Sequence, residues 1–184
     1  QRKRGQPKGR QVDPAVLAEV QAWLGHGPTR RDLLIEYLHA VNDRLRCLPA
    51  PHLAALAQLM KLSQAEVFEV ASFYHHFDVV KECADGRLPT APAITVRVCD
   101  GLACEMAGAK DLLARLPALL GGEVRVIAAP CVGRCDAAPA VVVHQYAVPH
   151  ATPQAVAGAV AAGRSTEVVT GRIGLDTYVA QGGY

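Results

Sequence analysis

Apolar residues recur at helical spacing through the first part of the chain, up to about residue 80. The spacing is clearest in two stripes, formed by Leu34, Leu38, Val41 and Leu45 and then by Leu53, Leu56 and Met60. Residues three or four positions apart lie on one face of a helix, and an apolar face is normally buried against a neighbour. The first part of the chain is therefore predicted to be a small helical bundle.

Residues that favour helix ends divide this bundle into four helices. Asp13 followed by Pro14 predicts the first start, because an Asp side chain caps free N–H groups and Pro fits the first helical turn. Thr29, with Asp32 three positions later, predicts the start of the second helix. The sequence Ser-Gln-Ala-Glu at 63–66 predicts a capping box for the fourth, after a short third helix.

The pattern changes after a polar linker at 82–92 that contains Gly and Pro. Apolar runs predict strands over 94–98, 124–127 and 140–143, and helical spacing predicts helices over 107–119 and, from a Thr-Pro cap, over 152–163. The order is strand–helix–strand followed by strand–strand–helix, where the strand at 140–143 leads through a turn into a further strand before the last helix. This order predicts a small open sheet with helices packed on it.

Four cysteines lie in two close pairs just after predicted strands. Cys99 and Cys104 enclose four residues, and Cys131 and Cys135 enclose three. Loops that follow strands of an α/β sheet are natural positions for ligands. Four thiolates brought together in this way are the donor set of iron–sulfur clusters and of structural zinc.

The chemistry of these cysteines leaves three interpretations open. A 2Fe–2S cluster is favoured, because Gly101 and Gly133 free the backbone to wrap around inorganic sulfur and donate N–H groups to it. Zinc also accepts four cysteines at such spacings. Disulfides or free thiols are least favoured, since the chain does not resemble a secreted disulfide scaffold and neither pair has the spacing of a dithiol redox motif.

Composition and charge exclude several classes of protein. A hydrophobic content of 51% in 184 residues excludes wholesale disorder, and no apolar run is long enough to span a membrane. Five of the 19 basic residues lie within the first ten positions, so a mildly acidic body carries a basic arm. We interpret the arm as a solvated tail and expect no nucleic-acid partner. Six cysteines without a secretory signal favour the cytoplasm.

The cysteine pairs and the helical half both resemble a known family. Residues 98–104 (Val-Cys-Asp-Gly-Leu-Ala-Cys) and 131–139 (Cys-Val-Gly-Arg-Cys-Asp-Ala-Ala-Pro) are similar to the thioredoxin-like 2Fe–2S ferredoxin domain of the 24-kilodalton subunit family of respiratory complex I. Residues 70–74 (Val-Ala-Ser-Phe-Tyr) resemble a turn in that family's N-terminal bundle. The same family is shared with NAD-linked hydrogenases and formate dehydrogenases.

The resemblance implies a fold class and a ligand set. The implied ligands of the 2Fe–2S cluster are Cys99, Cys104, Cys131 and Cys135. The implied fold is α+β, an N-terminal helical bundle followed by a thioredoxin-like α/β ferredoxin domain. The expected divisions are a basic flexible tail (1–12), the bundle (13–80), a linker (81–93), the ferredoxin domain (94–164) and a linker with the start of a flavoprotein-like segment (165–184).

The last residues resemble the opening of a second protein. Residues 171–184 end in Ala-Gln-Gly-Gly-Tyr, similar to the start of the FMN- and NADH-binding flavoprotein that partners this family. The resemblance implies part of a fused protein, with FMN and NAD on the partner or the following domain and further iron–sulfur and catalytic subunits. An NAD-dependent formate dehydrogenase is favoured, complex I and NAD-reducing hydrogenase are alternatives, and a zinc-stapled interaction module is the alternative of another class.

A few residues near the motifs require separate interpretation. Arg134 stands where the family often has a small residue, and its cation is expected to favour the reduced cluster. Cys47 and Cys83 match no ligand position. Adjacent histidines such as His75 and His76 point to opposite sides of the chain, so no metal site is expected there.

Overall fold

The computed structural model describes residues 9–25, 27–166, 171 and 173–183. Its contacts divide the chain into two units, Gln1–Ala93 and Ile94–Tyr184, and the division falls at the end of the expected linker. The expected tail (1–12) and the expected final segment (165–184) both lie partly outside the described residues. No helix among the described residues is both long enough and apolar enough to cross a membrane.

In its described residues, the first unit contains the four predicted helices and one short sheet. The helices are α1 (Pro14–Leu24), α2 (Leu34–Leu45), α3 (Ala50–Met60) and α4 (Gln64–Phe73), and the strands are β1 (Leu48–Pro49) and β2 (Val79–Val80). The two strands pair in parallel. Leu38 and Leu56, from the two predicted stripes, are fully buried together with Val20 and Val67 of the neighbouring helices.

Two predicted helix starts in this unit are confirmed by their caps. The Asp13 carboxylate accepts a hydrogen bond from the Ala15 N–H at 2.8 Å. The Ser63 hydroxyl accepts one from the Glu66 N–H at 3.1 Å. Each bond satisfies a donor that the first helical turn leaves free.

The predicted start of the second helix at Thr29 is wrong. The Thr29 hydroxyl donates instead to the Leu59 carbonyl at 3.0 Å, and a 3₁₀ turn over Arg31–Leu33 leads into α2. The Asp32 carboxylate accepts hydrogen bonds from the Arg30 guanidinium. Both groups of the predicted cap are therefore engaged by other partners, and local sequence does not reveal this competition.

The second unit is a mixed sheet with helices. The strands are β3 (Ile94–Cys99), β4 (Val124–Ala129), β5 (Val141–Val143) and β6 (Tyr146–Val148), in the order β4-β3-β5-β6. Strands β3 and β4 are parallel, whereas β5 is antiparallel to both β3 and β6. The helices are α5 (Leu102–Met106), α6 (Ala109–Leu120), α7 (Pro153–Ala161) and α8 (Leu175–Ala180).

Helices α6 and α7 pack on the same face of the sheet. That face is formed by Val96 and Val98 of β3 and by their partners in β5, and it contacts Leu116 of α6 and Val156 of α7. The helix predicted over 107–119 corresponds to α6, which begins two residues later than predicted. A separate helix, α5, precedes it and was not predicted. The chain turns between them at Gly108, whose φ of +100° ends one helix and starts the next.

Candidate metal centre

The two cysteine pairs meet at one edge of the sheet in the second unit. Strands β3 and β4 are parallel and in register, with Cys99 opposite Ala129 at their ends. The carboxyl ends of parallel strands deliver their following loops to the same edge. Helix α5 after β3 carries Cys104, and the loop after β4 carries Cys131 and then Cys135 at the start of a 3₁₀ turn.

The four thiols interact directly with one another. The sulfur atoms of Cys131 and Cys135 are 3.4 Å apart. Either thiol of that pair can be the hydrogen-bond donor, and Cys99 interacts in addition with both Cys104 and Cys131. The structure therefore brings together all four cysteines that the sequence predicted as ligands.

Burial divides the four cysteines into an inner and an outer pair. Cys99 and Cys104 are each 1% exposed, whereas Cys131 and Cys135 are exposed residues. The inner pair is delivered by a central strand and the helix after it, and the outer pair by a surface loop. A group held by all four sulfurs therefore has one side in the protein and one side towards solvent.

Two backbone N–H groups donate to the sulfur atoms. The Gly133 N–H lies 3.5 Å from the Cys131 sulfur, and the Ala140 N–H lies 3.4 Å from the Cys104 sulfur. Gly133 has a φ of +76°, a conformation that favours glycine, as the sequence predicted for this loop. The Ala140 donor could not be predicted, because it depends on where the start of β5 lies beside β3.

Gly101 has a different role from the predicted one. Its φ is −60°, which any residue adopts, so no backbone freedom is required. A methyl group at this position would lie 3.4 Å from the Cys131 Cβ and 3.5 Å from the Cys99 sulfur. Glycine thus leaves open a space between a cysteine of the inner pair and one of the outer pair.

The electrostatics of the thiols differ between the pairs. The pKa of Cys131 is lowered, first by the Gly133 N–H and then by its hydrogen bond with the Cys135 thiol. The pKa of Cys104 is raised, mainly because burial disfavours its thiolate. The pKa of Cys135 is raised by its hydrogen bond to Cys131 and by the charge that Cys131 carries when ionised. Among Cys104, Cys131 and Cys135, it is therefore Cys131 that loses its proton most readily.

These observations test whether the residues fit a 2Fe–2S cluster. Thiolates are the soft donors that iron–sulfur clusters require, and N–H donors to sulfur are a known influence on cluster potential. Gly101 leaves space between the ligands that a side chain would fill. The donor set, the N–H groups and this space all fit such a cluster.

The other two cysteines lie in the first unit. Cys47 is buried, and its thiol donates to the Leu45 carbonyl at 3.5 Å. Cys83 is exposed and begins a turn, in which its carbonyl accepts a hydrogen bond from the Gly86 N–H. That neither belongs to the ligand set stays a prediction.

Helix α5, which carries Cys104, also has two exposed apolar side chains. Leu102 and Met106 are 75% and 82% exposed and lie one helical turn apart, so they share one face of α5. Sequence reasoning missed them because α5 itself was not predicted. Exposed apolar side chains that share one face form a candidate contact surface.

Comparisons with known proteins agree with this architecture. One subunit of the NADH-quinone oxidoreductase of Mycobacterium tuberculosis (strain ATCC 25618 / H37Rv) is 30% identical over 161 residues, which cover 82% of this chain and 60% of that protein. The same subunit from Aquifex aeolicus is 24% identical over 138 residues, 70% of this chain and 81% of that protein. An NAD⁺-reducing [NiFe]-hydrogenase in the H₂-reduced state has the same fold, with a TM-score of 0.51 and 23% identity.

The extent of the matches differs between relatives. The chain covers only 27% of the length of the hydrogenase chain, although 80% of this chain is aligned. The profile of the thioredoxin-like [2Fe-2S] ferredoxin family matches residues 20–164, which include the first unit from the second half of α1 onwards and all four clustered cysteines. The protein therefore belongs to the thioredoxin-like [2Fe-2S] ferredoxin family.

Proposed function

We propose that Cys99, Cys104, Cys131 and Cys135 hold one 2Fe–2S cluster and that the chain is a one-electron carrier in an NAD-linked oxidoreductase. The observation that carries the proposal is the convergence of four interacting thiols at one sheet edge in a member of this family. A bound 2Fe–2S cluster accepts and releases one electron at a time. No residue of the chain is proposed as a general acid, base or nucleophile.

The chain's own residues set the conditions for that electron transfer. The Gly133 and Ala140 N–H groups donate to ligand sulfurs and so stabilise negative charge on them. The inner pair holds the group against the apolar core, and the outer pair leaves it accessible. Access on one side suits exchange of electrons with a docked protein.

The proposed partner is a flavoprotein domain or subunit that binds FMN and NAD, with further iron–sulfur and catalytic subunits beyond it. FMN connects the two-electron chemistry of NAD(H) with one-electron carriers. The partner's contact surface is proposed to cover the exposed face of Leu102 and Met106. The complex is proposed to lie in the cytoplasm, where cysteine thiols stay reduced.

Among NAD-linked complexes, we favour a formate dehydrogenase. Its support is the resemblance of residues 171–184 to the opening of a flavoprotein, which favours fused formate dehydrogenases and hydrogenases over respiratory complex I. The relatives named above are quinone oxidoreductase subunits and a hydrogenase, so these are the alternatives. An assay of NAD⁺ reduction by the complex isolated from its native source decides between them. Reduction of NAD⁺ with formate supports the proposal, and reduction with H₂ alone contradicts it.

The metal content of the purified chain tests the cluster itself. We expect about two irons and two acid-labile sulfides per chain, visible charge-transfer absorption and an axial paramagnetic signal after reduction. Zinc gives neither absorption nor a redox signal. One zinc and no sulfide in anaerobically prepared protein would identify the zinc-stapled module and exclude electron transfer.

A further inference from the structure

A second group of metal-binding side chains lies in the helical unit. His39, Asp43 and His76 each offer one ligand atom, and these atoms all lie within 4.8 Å of one another. His39 and Asp43 are four residues apart on α2, so they share one face of that helix. His76 comes from the turn that follows α4.

The position of His76 is fixed by the packing around it. The next residue, Phe77, is buried in the helical core, and its N–H donates to the Tyr74 carbonyl at 3.0 Å. Just beyond, the Asp78 carbonyl accepts from the Leu48 N–H at 2.7 Å, which begins the β1–β2 pairing. The Phe77–Tyr74 bond therefore closes the turn around His76, and the Leu48–Asp78 bond ties the chain just after it to the segment that follows α2.

Aromatic contacts orient the two imidazoles. The ring centroids of His39 and His76 are 5.0 Å apart, and His39 meets the edge of Phe77 at 4.9 Å. His39 and His76 are half-buried, and Asp43 is exposed. Two ligands are thus held in place, while the third can adjust from the solvent side.

We infer that His39, Asp43 and His76 form a second metal site, which binds a Zn²⁺ ion through two imidazole nitrogens and one carboxylate oxygen. Zinc bonds to such donors at about 2.0–2.2 Å, so two ligand atoms on one ion lie about 3.4 Å apart. Ligand atoms within 4.8 Å of one another need to approach by at most about 1.4 Å. Rotation of the exposed Asp43 side chain supplies much of that movement, and water completes the four-coordinate ion.

The site connects two separate segments of the helical unit. Zinc bound there links the C-terminal half of α2 to the turn after α4 and therefore stabilises the unit against unfolding. Without metal, the same three residues form a histidine–carboxylate cluster on the surface. The two possibilities differ in whether zinc binds stoichiometrically at this position.

The proposed site differs from the sequence prediction for His75 and His76, which expected no metal there. The two histidines do separate, with His75 exposed and His76 half-buried beside α2. The prediction rested on the two adjacent histidines alone and not on ligands from another helix. The His39–Asp43 spacing was visible in the sequence, whereas the approach of His76 depends on the β1–β2 pairing.

Zinc titration of the full-length, untagged, iron-loaded chain tests the site. We expect one zinc per chain, bound without loss of iron, and an X-ray absorption spectrum with a nitrogen and oxygen shell that includes imidazole. Asp43→Asn, which keeps the shape of an exposed side chain, should weaken binding at least about tenfold, and His39→Ala should abolish it. His75→Ala and Asp85→Asn are matched controls outside the group and should bind zinc like the unchanged chain.

Thermal unfolding provides a second measurement on the same variants. Saturating zinc should raise the melting temperature of the unchanged chain by several degrees and leave that of Asp43→Asn nearly unchanged. Equal zinc affinity in Asp43→Asn and the unchanged chain overturns the inference. A sulfur shell at about 2.3 Å, or loss of iron as zinc binds, also overturns it, because the ion is then held by the cysteines.

Discussion

The Ala140 N–H donates to the sulfur of Cys104 at 3.4 Å, although the two residues lie on different elements and far apart in sequence. Cys104 sits on α5, and Ala140 immediately precedes β5. The Cys99 N–H in turn donates to the Ala140 carbonyl at 3.1 Å. One peptide segment at the start of β5 therefore contacts both cysteines of the inner pair.

Replacing any of the four clustered cysteines with serine should remove or strongly perturb the iron–sulfur cluster. A hydroxyl is a harder and more basic donor than a thiolate, and the other two cysteines lie in the first unit. Iron and sulfide content of Cys104→Ser and Cys131→Ser measure the effect. Cys83→Ser, at an exposed turn, is the control and should retain full iron content; equal loss there would mean that the ligand set is wrong.

Gly101→Ala should impair cluster loading without unfolding the chain. The backbone at Gly101 accepts alanine, but the added methyl fills the space beside Cys99 and Cys131. Gly158→Ala, within α7 and with no atom near the added methyl, is the matched control. It should keep its iron and gain about 0.5–1 kcal/mol of stability, since alanine favours helix.

Iron content and circular dichroism of the two glycine variants distinguish the explanations. Unchanged helical signal with reduced iron in Gly101→Ala supports a steric effect at the site. Full iron in Gly101→Ala would show that the cluster does not use this space. Reduced iron in both variants would point to general sensitivity of the unit.

Arg134→Ala should lower the midpoint potential by tens of millivolts while the cluster stays bound. Arg134 lies between the outer cysteines and is exposed, and a cation near the cluster stabilises the electron gained on reduction. Solvent screening limits the effect to about 40 mV for a one-electron couple. A potentiometric titration measures it.

Arg115→Ala provides the charge control for this prediction. It removes an exposed cation of α6 that pairs with Asp111 at 3.0 Å. Its midpoint potential should match that of the unchanged chain. An equal shift in both variants would indicate an effect of net charge. No shift or an upward shift in Arg134→Ala would mean that the side chain points to solvent or to the flavoprotein partner.

Leu102→Glu and Met106→Glu should slow electron transfer with the flavoprotein and leave the visible spectrum of the cluster unchanged. Both side chains are largely exposed, so charge there costs the isolated chain little, but it opposes burial in a protein contact. Stopped-flow reduction of the complex by NADH measures the rate. Leu119→Glu on α6, another exposed apolar position, is the control and should transfer electrons normally.

The sequence was most informative where a local pattern determined the local structure. The Asp13 and Ser63 caps and the strand before Cys99 depend on residues close in sequence, and each was predicted. The spacing of the cysteines likewise predicted that they would cluster. Gly108 shows the limit: glycine was visible, but its φ of +100° and the separate helix before it were not. The predicted helix therefore began at 107, two residues before α6, and α5 was not predicted.

Interactions between distant segments could not be predicted from the sequence. The Ala140 donor requires the β3–β5 register, and the approach of His76 to α2 requires the β1–β2 pairing. Thr29 has the residue type of a cap, but the Leu59 carbonyl competes for its hydroxyl. In each case the deciding partner lies on another element, and only tertiary structure determines which partner is nearest.

The exposure of Cys131 and Cys135 has a consequence for the newly made chain. Their sulfur atoms are 3.4 Å apart, and a disulfide bond requires about 2.05 Å, so a small loop movement would join them. The lowered pKa of Cys131 increases its reactive thiolate fraction. Before iron arrives, an oxidant can take two electrons and two protons from this pair, while burial shields Cys99 and Cys104. On the proposed ligand set, maturation is a kinetic competition at the outer pair between cluster delivery and oxidation. A chain that is oxidised first needs a reductant before it can be loaded.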